Sequence, residues 1–105
     1  MRVAFAGTPD FAATVLKGLV SSEHEVGLVI SQPDARRGRG RKTIPTPVAQ
    51  LAIEHGLPLT QPDHIAEAAD QISPYDALVV AAYGQILRPN TLYAAKHGAW
   101  NVHGS

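Results

Sequence analysis

Short runs of apolar residues alternate with segments of helical periodicity, and this alternation restricts the fold more than any other feature of the chain. Residues 3–6, 26–30 and 77–82 are almost continuously apolar, which is typical of strands covered on both faces. Apolar residues recur at helical spacing from Phe11 to Val20, and a second helix is predicted over 47–54. The pattern predicts an α/β fold with a mostly parallel sheet and helices on both faces.

Weaker patterns complete this prediction. Short strands are expected at 57–60 and 98–103, and helices at 63–72 and 89–95. Right-handed crossovers then favour a Rossmann-like order, 3-2-1-4, for the first four parallel strands. The last predicted strand is also the last element, whereas open α/β domains normally continue. We therefore expect a truncated chain that ends inside its domain.

Composition narrows the functional classes. The 105 residues suit one domain at most, and nine basic residues balance nine acidic ones. The absence of cysteine excludes a disulfide scaffold, cysteine-ligated zinc and a thiol nucleophile. No grouping of histidine with acidic residues has metal-ligand spacing, so no metal is expected. Because no apolar run approaches the length of a signal peptide or a membrane span, we expect a cytoplasmic protein without membrane contact.

The turn after the first strand reads Gly7-Thr8-Pro9-Asp10-Phe11. This is not the Gly-x-Gly-x-x-Gly pattern, and the Asp10 carboxylate would oppose a pyrophosphate, so dinucleotide binding is excluded. Thr8 is predicted to cap the helix, with Pro9 at its first position. The turn is either a capped helix start or part of a substrate-lining surface.

Five of the nine basic residues fall in one glycine-rich window, which is expected to be a loop over about 32–46. They are Arg36, Arg37, Arg39, Arg41 and Lys42. One interpretation is a solvated, mobile loop. The other is a cationic finger that contacts phosphates and becomes ordered on binding.

Asn101-Val102-His103 lies on the last predicted strand. Residues two apart on a strand share a face, so Asn101 and His103 should point together, with Val102 buried opposite. An amide donor beside an imidazole suits acyl transfer, because both groups can stabilise an oxyanion and the imidazole can move a proton. A structural polar pair is the alternative.

A set of motifs, in this order and spacing, resembles the N-terminal part of the methionyl-tRNA formyltransferase family over essentially the whole chain. The motifs are FAGTPDFA from Phe5, QPD from Gln32, GRG from Gly38, PTPV from Pro45, GLP from Gly56, VAAYGQIL from Val80 and NVHGS from Asn101. One departure is Arg88 before Pro89, where the family pattern runs Leu-Pro directly; this insertion should alter the start of the following helix.

The resemblance assigns roles to residues. Asn101 and His103 match two members of the family's Asn-His-Asp catalytic set, and Ser105 matches the first residue of its tetrahydrofolate-binding Ser-Leu-Leu-Pro segment. The wall of the folate pocket matches Tyr83, Gly84, Gln85, Ile86 and Leu87. The basic window matches the loop that enters the acceptor stem of initiator tRNA. Residues 1–105 would then be the N-terminal portion of the formyltransferase catalytic domain, without the rest of that domain, its catalytic Asp and the C-terminal tRNA-binding domain.

The resemblance implies transfer of a formyl group from 10-formyltetrahydrofolate to the amino group of methionyl-initiator-tRNA, by a parent enzyme that is monomeric. The fragment alone is expected to be inactive. Two alternatives are another folate-dependent formyltransferase with a small amine acceptor and a non-catalytic RNA-binding module that uses the basic loop.

Overall fold

The protein is described here from a computed structural model that covers residues 1–37 and 42–103. Its strands are β1 (Arg2–Gly7), β2 (Glu25–Ile30), β3 (Ala35–Arg37), β4 (Lys42–Ile44), β5 (Leu59–Thr60), β6 (Ala77–Ala81) and β7 (Ala99–Asn101). Its helices are α1 (Asp10–Val20), α2 (Pro47–Glu54), α3 (Ala69–Ile72) and α4 (Pro89–Leu92), and a 3-10 turn (Ile65–Ala68) leads into α3.

The main sheet has five strands in the order β5-β2-β1-β6-β7, and each neighbouring pair is parallel. Numbered along the chain within this sheet, the order is 3-2-1-4-5. The predicted Rossmann-like order is therefore confirmed. Three of the four crossovers lead to a neighbouring parallel strand, and the one from β5 to β6 passes to the other side of β1. β7 lies at one edge, beside β6.

Alternate residues of β1 divide the core into two layers. Val3 and Phe5 pack with Leu16 of α1 and Val48 of α2 on one face. Ala4 and Ala6 belong to the opposite layer, which also contains Ile65 of the 3-10 turn and Ile72 of α3. Helical elements therefore cover both faces, as the continuous apolar strands predict.

The predicted loop over 32–46 is only partly a loop. β3 and β4 form a second, antiparallel sheet in which Ala35 pairs with Ile44 and Arg37 pairs with Lys42. The prediction of a loop throughout is therefore wrong for these strands, because pairing between two segments close in sequence was not visible in the charge pattern. Arg39 and Arg41 lie outside the described residues.

The helix predicted over 63–72 is also shorter and tighter than expected. Glu67 N donates to His64 O, a contact of the 3-10 type, and α3 begins only at Ala69. The Asp63 carbonyl is taken by the side chain of Gln85. In an α-helix from residue 63, that carbonyl would accept from Glu67 N, which donates to His64 O instead.

α2 begins as its sequence predicts. Thr46 precedes the helix, its hydroxyl accepts from Ala49 N at 3.0 Å, and Pro47 occupies the first helical position. At α1 the predicted cap is wrong. Pro9 is the cap residue and makes no side-chain cap bond, whereas the Thr8 hydroxyl donates to Tyr83 O at 2.7 Å. This hydrogen bond thus fixes the turn that follows β6 against the end of β1.

Candidate active-site cleft

A cleft of about 600 Å³ opens at the carboxyl ends of β6 and β7. Such a volume is in the range of small-molecule sites. Its lining comprises Phe11, Val80, Ala82, Tyr83, Gln85, Leu87, Leu92, Ala99, Asn101, Val102 and His103. None of these residues is a carboxylic acid, a lysine or an arginine. The cleft therefore offers an apolar wall with amide, imidazole and backbone groups for orientation.

Asn101 and His103 lie at one end of this cleft. Asn101 is the last residue of β7 and pairs in register with Val80 of β6. Its amide nitrogen Nδ2 lies 3.5 Å from His103 Nε2, at the upper limit for a hydrogen bond, and both residues are exposed. The two side chains therefore point together, as the spacing predicts.

Val102 departs from the prediction. It is 37% exposed and lines the cleft, instead of being buried on the opposite face. The reason is topological: β7 is at the edge of the described sheet and ends at Asn101, so Val102 has already left the strand. Its amide still donates to Val80 O at 2.7 Å, which holds the segment against β6.

The wall of the cleft is a sharply bent turn that follows β6. Ala82 has φ of 48°, in the left-handed region that residues with a side chain rarely adopt, and Gly84 has φ of 103°. This backbone strain costs about 1–3 kcal/mol at a residue such as Ala82. The bend directs the chain away from the sheet and places Gln85 and Leu87 against the cleft.

Gln85 is held by three hydrogen bonds. Its Oε1 accepts from Ile65 N at 2.9 Å, and its Nε2 donates to Asp63 O at 2.7 Å and to Gln32 Oε1 at 3.0 Å. Both ends of the amide are therefore occupied. This pattern defines the position of the cleft wall relative to β2 and to the 3-10 turn.

Tyr83 anchors the same turn from the core side. It is 2% exposed, and its hydroxyl has no hydrogen-bond partner among the described residues. Burial raises the pKa of the Tyr83 hydroxyl to about 12. Its backbone carbonyl accepts from Thr8. The ring is therefore a packing element beneath the cleft.

The structure brings together five of the eight residues predicted for catalysis and folate binding. Asn101, His103, Tyr83, Gln85 and Leu87 line one cleft, whereas Gly84 and Ile86 do not line it. Ile86 is instead 92% exposed, because the bend turns its side chain outward. Ser105 lies outside the described residues. Arg88 is exposed and caps α4, which begins at Pro89.

Sequence reasoning did not single out four lining residues, namely Val80, Ala82, Leu92 and Ala99. Val80 and Ala82 could have been found from their position at the end of a predicted buried strand, where parallel sheets place their sites. Phe11 belongs to the turn at 7–11, for which a substrate-lining surface is one of the two predicted alternatives. Leu92 and Ala99 carry no sequence signal for the cleft, since both read as ordinary apolar residues.

A family profile described as "Formyl transferase" matches residues 1–105. The chain belongs to this family. It is similar to the methionyl-tRNA formyltransferase of Rubrobacter xylanophilus, with 76% identity over 81 residues that cover 77% of this chain and 26% of the relative. It is also similar to the methionyl-tRNA formyltransferase of Methylobacillus flagellatus, with 48% identity over all of this chain and 35% of the relative. The chain thus spans about a third or less of these relatives.

Among solved structures, this member of the formyl transferase family is similar to the phosphoribosylglycinamide formyltransferase of Bacillus halodurans. The TM-score is 0.67, with 19% sequence identity, over 98% of this chain and 56% of that structure. At this identity the likeness concerns the fold. It supports the Rossmann-like formyltransferase architecture that the sequence predicts.

Two further observations concern the described residues. They contain no helix long and apolar enough to cross a bilayer. They also contain no group of three or more His, Cys, Asp or Glu side chains placed to hold a metal ion.

Proposed function

We propose that this chain is the N-terminal portion of the catalytic domain of a cytoplasmic methionyl-tRNA formyltransferase. The enzyme would transfer a formyl group from 10-formyltetrahydrofolate to the amino group of methionyl-initiator-tRNA. The observation that carries the proposal is the convergence of the Asn101 amide and the His103 imidazole on the cleft described above. The names of the two bacterial relatives support the choice of acceptor.

The chemistry requires an addition followed by an elimination. The neutral amine of the methionyl group attacks the formyl carbon, and a C–N bond forms while the carbonyl oxygen gains negative charge. The Asn101 Nδ2–H group is suited to donate to that oxygen, and His103 to stabilise it or to carry a proton. The bond from the formyl carbon to N10 of the folate then breaks, and the proton lost by the amine is delivered to N10.

The donor would occupy the cleft between the turn at 82–87 and α4. Tyr83, Gln85 and Leu87, which line the cleft, are the proposed wall for its ring system, and Gly84 belongs to the turn that positions them. Ser105 is a further proposed contact. Amide and apolar groups suit an uncharged heteroaromatic ring, because they offer hydrogen bonds and contact area without a charge that the ring would have to neutralise. A carboxylate from the remainder of the domain would orient His103.

The acceptor RNA would bind to the basic window. Arg36, Arg37, Arg39, Arg41 and Lys42 supply up to five positive charges within seven residues. Lysine and arginine side chains bind phosphates through electrostatic attraction and counterion release. Arg36, Arg37 and Lys42 belong to β3 and β4, which pair with each other and follow β2 in the chain.

The test uses the full-length protein that carries this chain. It is incubated with 10-formyltetrahydrofolate and either methionyl-initiator-tRNA or a small amine acceptor, and formylated product is measured. Asn101→Ala should lower kcat by about 100- to 1,000-fold with little change in KM, since one oxyanion donor is lost. Gln71→Ala removes an exposed amide side chain outside the cleft and should leave kcat unchanged.

Three results would contradict the proposal. Formylation of the small amine but not of the tRNA would indicate another formyltransferase. Salt-sensitive RNA binding without any formyl transfer would indicate an RNA-binding module. A near-normal kcat for Asn101→Ala would assign that residue a structural role.

A further inference from the structure

A chain of polar side chains connects the cleft to the basic hairpin. We call it the polar bridge, and it consists of Gln32, Asp34, Thr46, Gln61 and Gln85. All five residues are partly buried. They come from four separate stretches of the chain, and hydrogen bonds between them span up to 53 residues of sequence. Such a network specifies how its parts are arranged, because partly buried polar groups lose free energy when they are left unpaired.

The hairpin end of the bridge is centred on Asp34. Its Oδ1 accepts from Thr46 N at 3.2 Å and from Gln61 Nε2 at 2.6 Å. Asp34 directly precedes β3, and Thr46 follows β4 after one residue, so the first bond closes the base of the hairpin. The second bond attaches this base to the residue that follows β5, and therefore to the main sheet.

The cleft end of the bridge is centred on Gln32. Its backbone carbonyl accepts from Gln61 Nε2 at 3.0 Å, and its side-chain Oε1 accepts from Gln85 Nε2. A β-carbon at Gly84 would lie 3.0 Å from Gln32 Nε2, so the Gln32 side chain packs directly on the turn that forms the cleft wall. Gln61 thus donates to both halves of the bridge.

The hairpin needs such an attachment. Its strands are three residues each, and within the described residues they pair only with each other. An isolated two-stranded hairpin of this size is marginally stable in water. Thr46 is anchored because it caps α2, which packs beside α1, so the C-terminal strand of the hairpin leads into a fixed helix. The N-terminal strand relies on Asp34 and its bond from Gln61.

We propose that Gln61 and Asp34 are positioning residues that hold the basic hairpin at a set orientation to the cleft. They align the RNA-binding charges with the site of formyl transfer without touching either substrate. The inference rests on the proposed function for its catalytic consequence. The structural part, that Gln61 attaches the hairpin to the sheet, does not depend on what the hairpin binds.

The experiment compares Gln61→Leu and Asp34→Ala with the parent in the full-length protein. Amide hydrogen exchange is measured at the hairpin residues 35–37 and 42–44, and steady-state kinetics are measured with both substrates. Loss of a hydrogen bond to a carboxylate should speed hairpin exchange about 10-fold or more. The KM for methionyl-tRNA should rise by about the same factor, while kcat and the KM for the formyl donor stay within 2-fold.

Matched variants separate positioning from general damage. Asp34→Asn keeps an acceptor oxygen and should restore both exchange and KM. Gln50→Leu removes an exposed glutamine on α2 that bonds only to Glu54 among the described side chains, and it should change neither. Unchanged hairpin exchange in Gln61→Leu would overturn the inference, whatever reaction the protein catalyses.

A second result would also overturn the inference: faster hairpin exchange together with an equal loss of kcat/KM for methionyl-tRNA and for the formyl donor. Gln61 would then act as a general structural residue. If the parent protein formylates no tRNA, the proposed function fails. The exchange measurement still decides whether Gln61 and Asp34 attach the hairpin.

Discussion

Removal of the Tyr83 hydroxyl should stabilise the protein. Tyr83 is 2% exposed, and its hydroxyl has no hydrogen-bond partner among the described residues. A buried hydroxyl without a partner costs about 1–3 kcal/mol, because it gives up its bonds to water on folding. Tyr83→Phe keeps the ring in the core layer and leaves a space of a single oxygen atom. We therefore expect the free energy of unfolding to rise by about 1 kcal/mol or more.

The pH dependence gives a second, independent signature. Burial raises the pKa of Tyr83 from 10.0 to about 12 in the folded protein. A group whose pKa is higher in the folded state contributes stability that is fully present below its unfolded pKa and is lost as pH rises through the folded pKa. The wild-type protein should therefore lose stability between pH 10 and pH 12. Tyr83→Phe lacks this loss, so its advantage should widen over that interval.

The assay is urea denaturation at pH 8 and at about pH 11, followed by circular dichroism and extrapolated to water. Tyr93→Phe is the matched control, because Tyr93 is 78% exposed and its hydroxyl is free to bond to water. The reasoning is refuted if Tyr83→Phe lowers the free energy of unfolding at pH 8 by 1 kcal/mol or more, since the hydroxyl must then make a bond in the folded protein. It is also refuted if the advantage does not grow with pH.

Three other substitutions test separate parts of the structure. A β-carbon at Gly7 would lie 2.7 Å from Ala81 O and 2.6 Å from the Ala12 side chain, whereas one at Gly18 has no neighbour within 4 Å. Thermal unfolding should therefore show that Gly7→Ala is destabilised by about 1–3 kcal/mol and that Gly18→Ala is stabilised by about 0.5–1 kcal/mol. Equal effects of the two substitutions would contradict this packing. Arg2 N donates to Asp76 at 2.9 Å and lowers the pKa of that carboxyl, with Lys96 acting in the same direction. Asp76→Asn should therefore reduce Tm at pH 7, and the difference should decline as pH falls from the ordinary value of 3.8 through the lowered pKa of the folded protein. A difference that is undiminished at pH 2 would exclude this origin. Replacing Arg39 and Arg41 by Ala in the full-length protein should flatten the slope of log affinity for tRNA against log salt by about 1–2 units, with Lys96→Ala as the control; an unchanged slope would show that these two charges do not meet phosphates.

Local sequence was sufficient for the three central strands of the main sheet, whereas β5 and β7 are two and three residues shorter than predicted. The apolar runs at 3–6, 26–30 and 77–82 correspond to β1, β2 and β6 with a change of at most one residue at either end. α2 spans Pro47–Glu54, as its sequence predicts; the Thr46 cap, which was not predicted, and Pro47 explain its start because both act on their own neighbours. The order of the parallel strands also follows, since crossovers have one preferred hand. Asn101 and His103 also point together, as their spacing predicts, although β7 ends at Asn101 and His103 lies beyond the strand.

Partners distant in the chain were decided by the tertiary structure alone. Nothing near Thr8 predicts that its hydroxyl donates to Tyr83 O instead of capping α1, because the two residues are 75 positions apart. The same holds for Gln85, whose side chain takes the Asp63 carbonyl and so shortens the helix predicted there. Val102 is exposed because β7 lies at the edge of the described sheet and ends at Asn101. Periodicity and capping depend on residues that are close in sequence. A hydrogen-bond partner that is distant in sequence, or the edge of a sheet, is defined only when folding has brought the strands together.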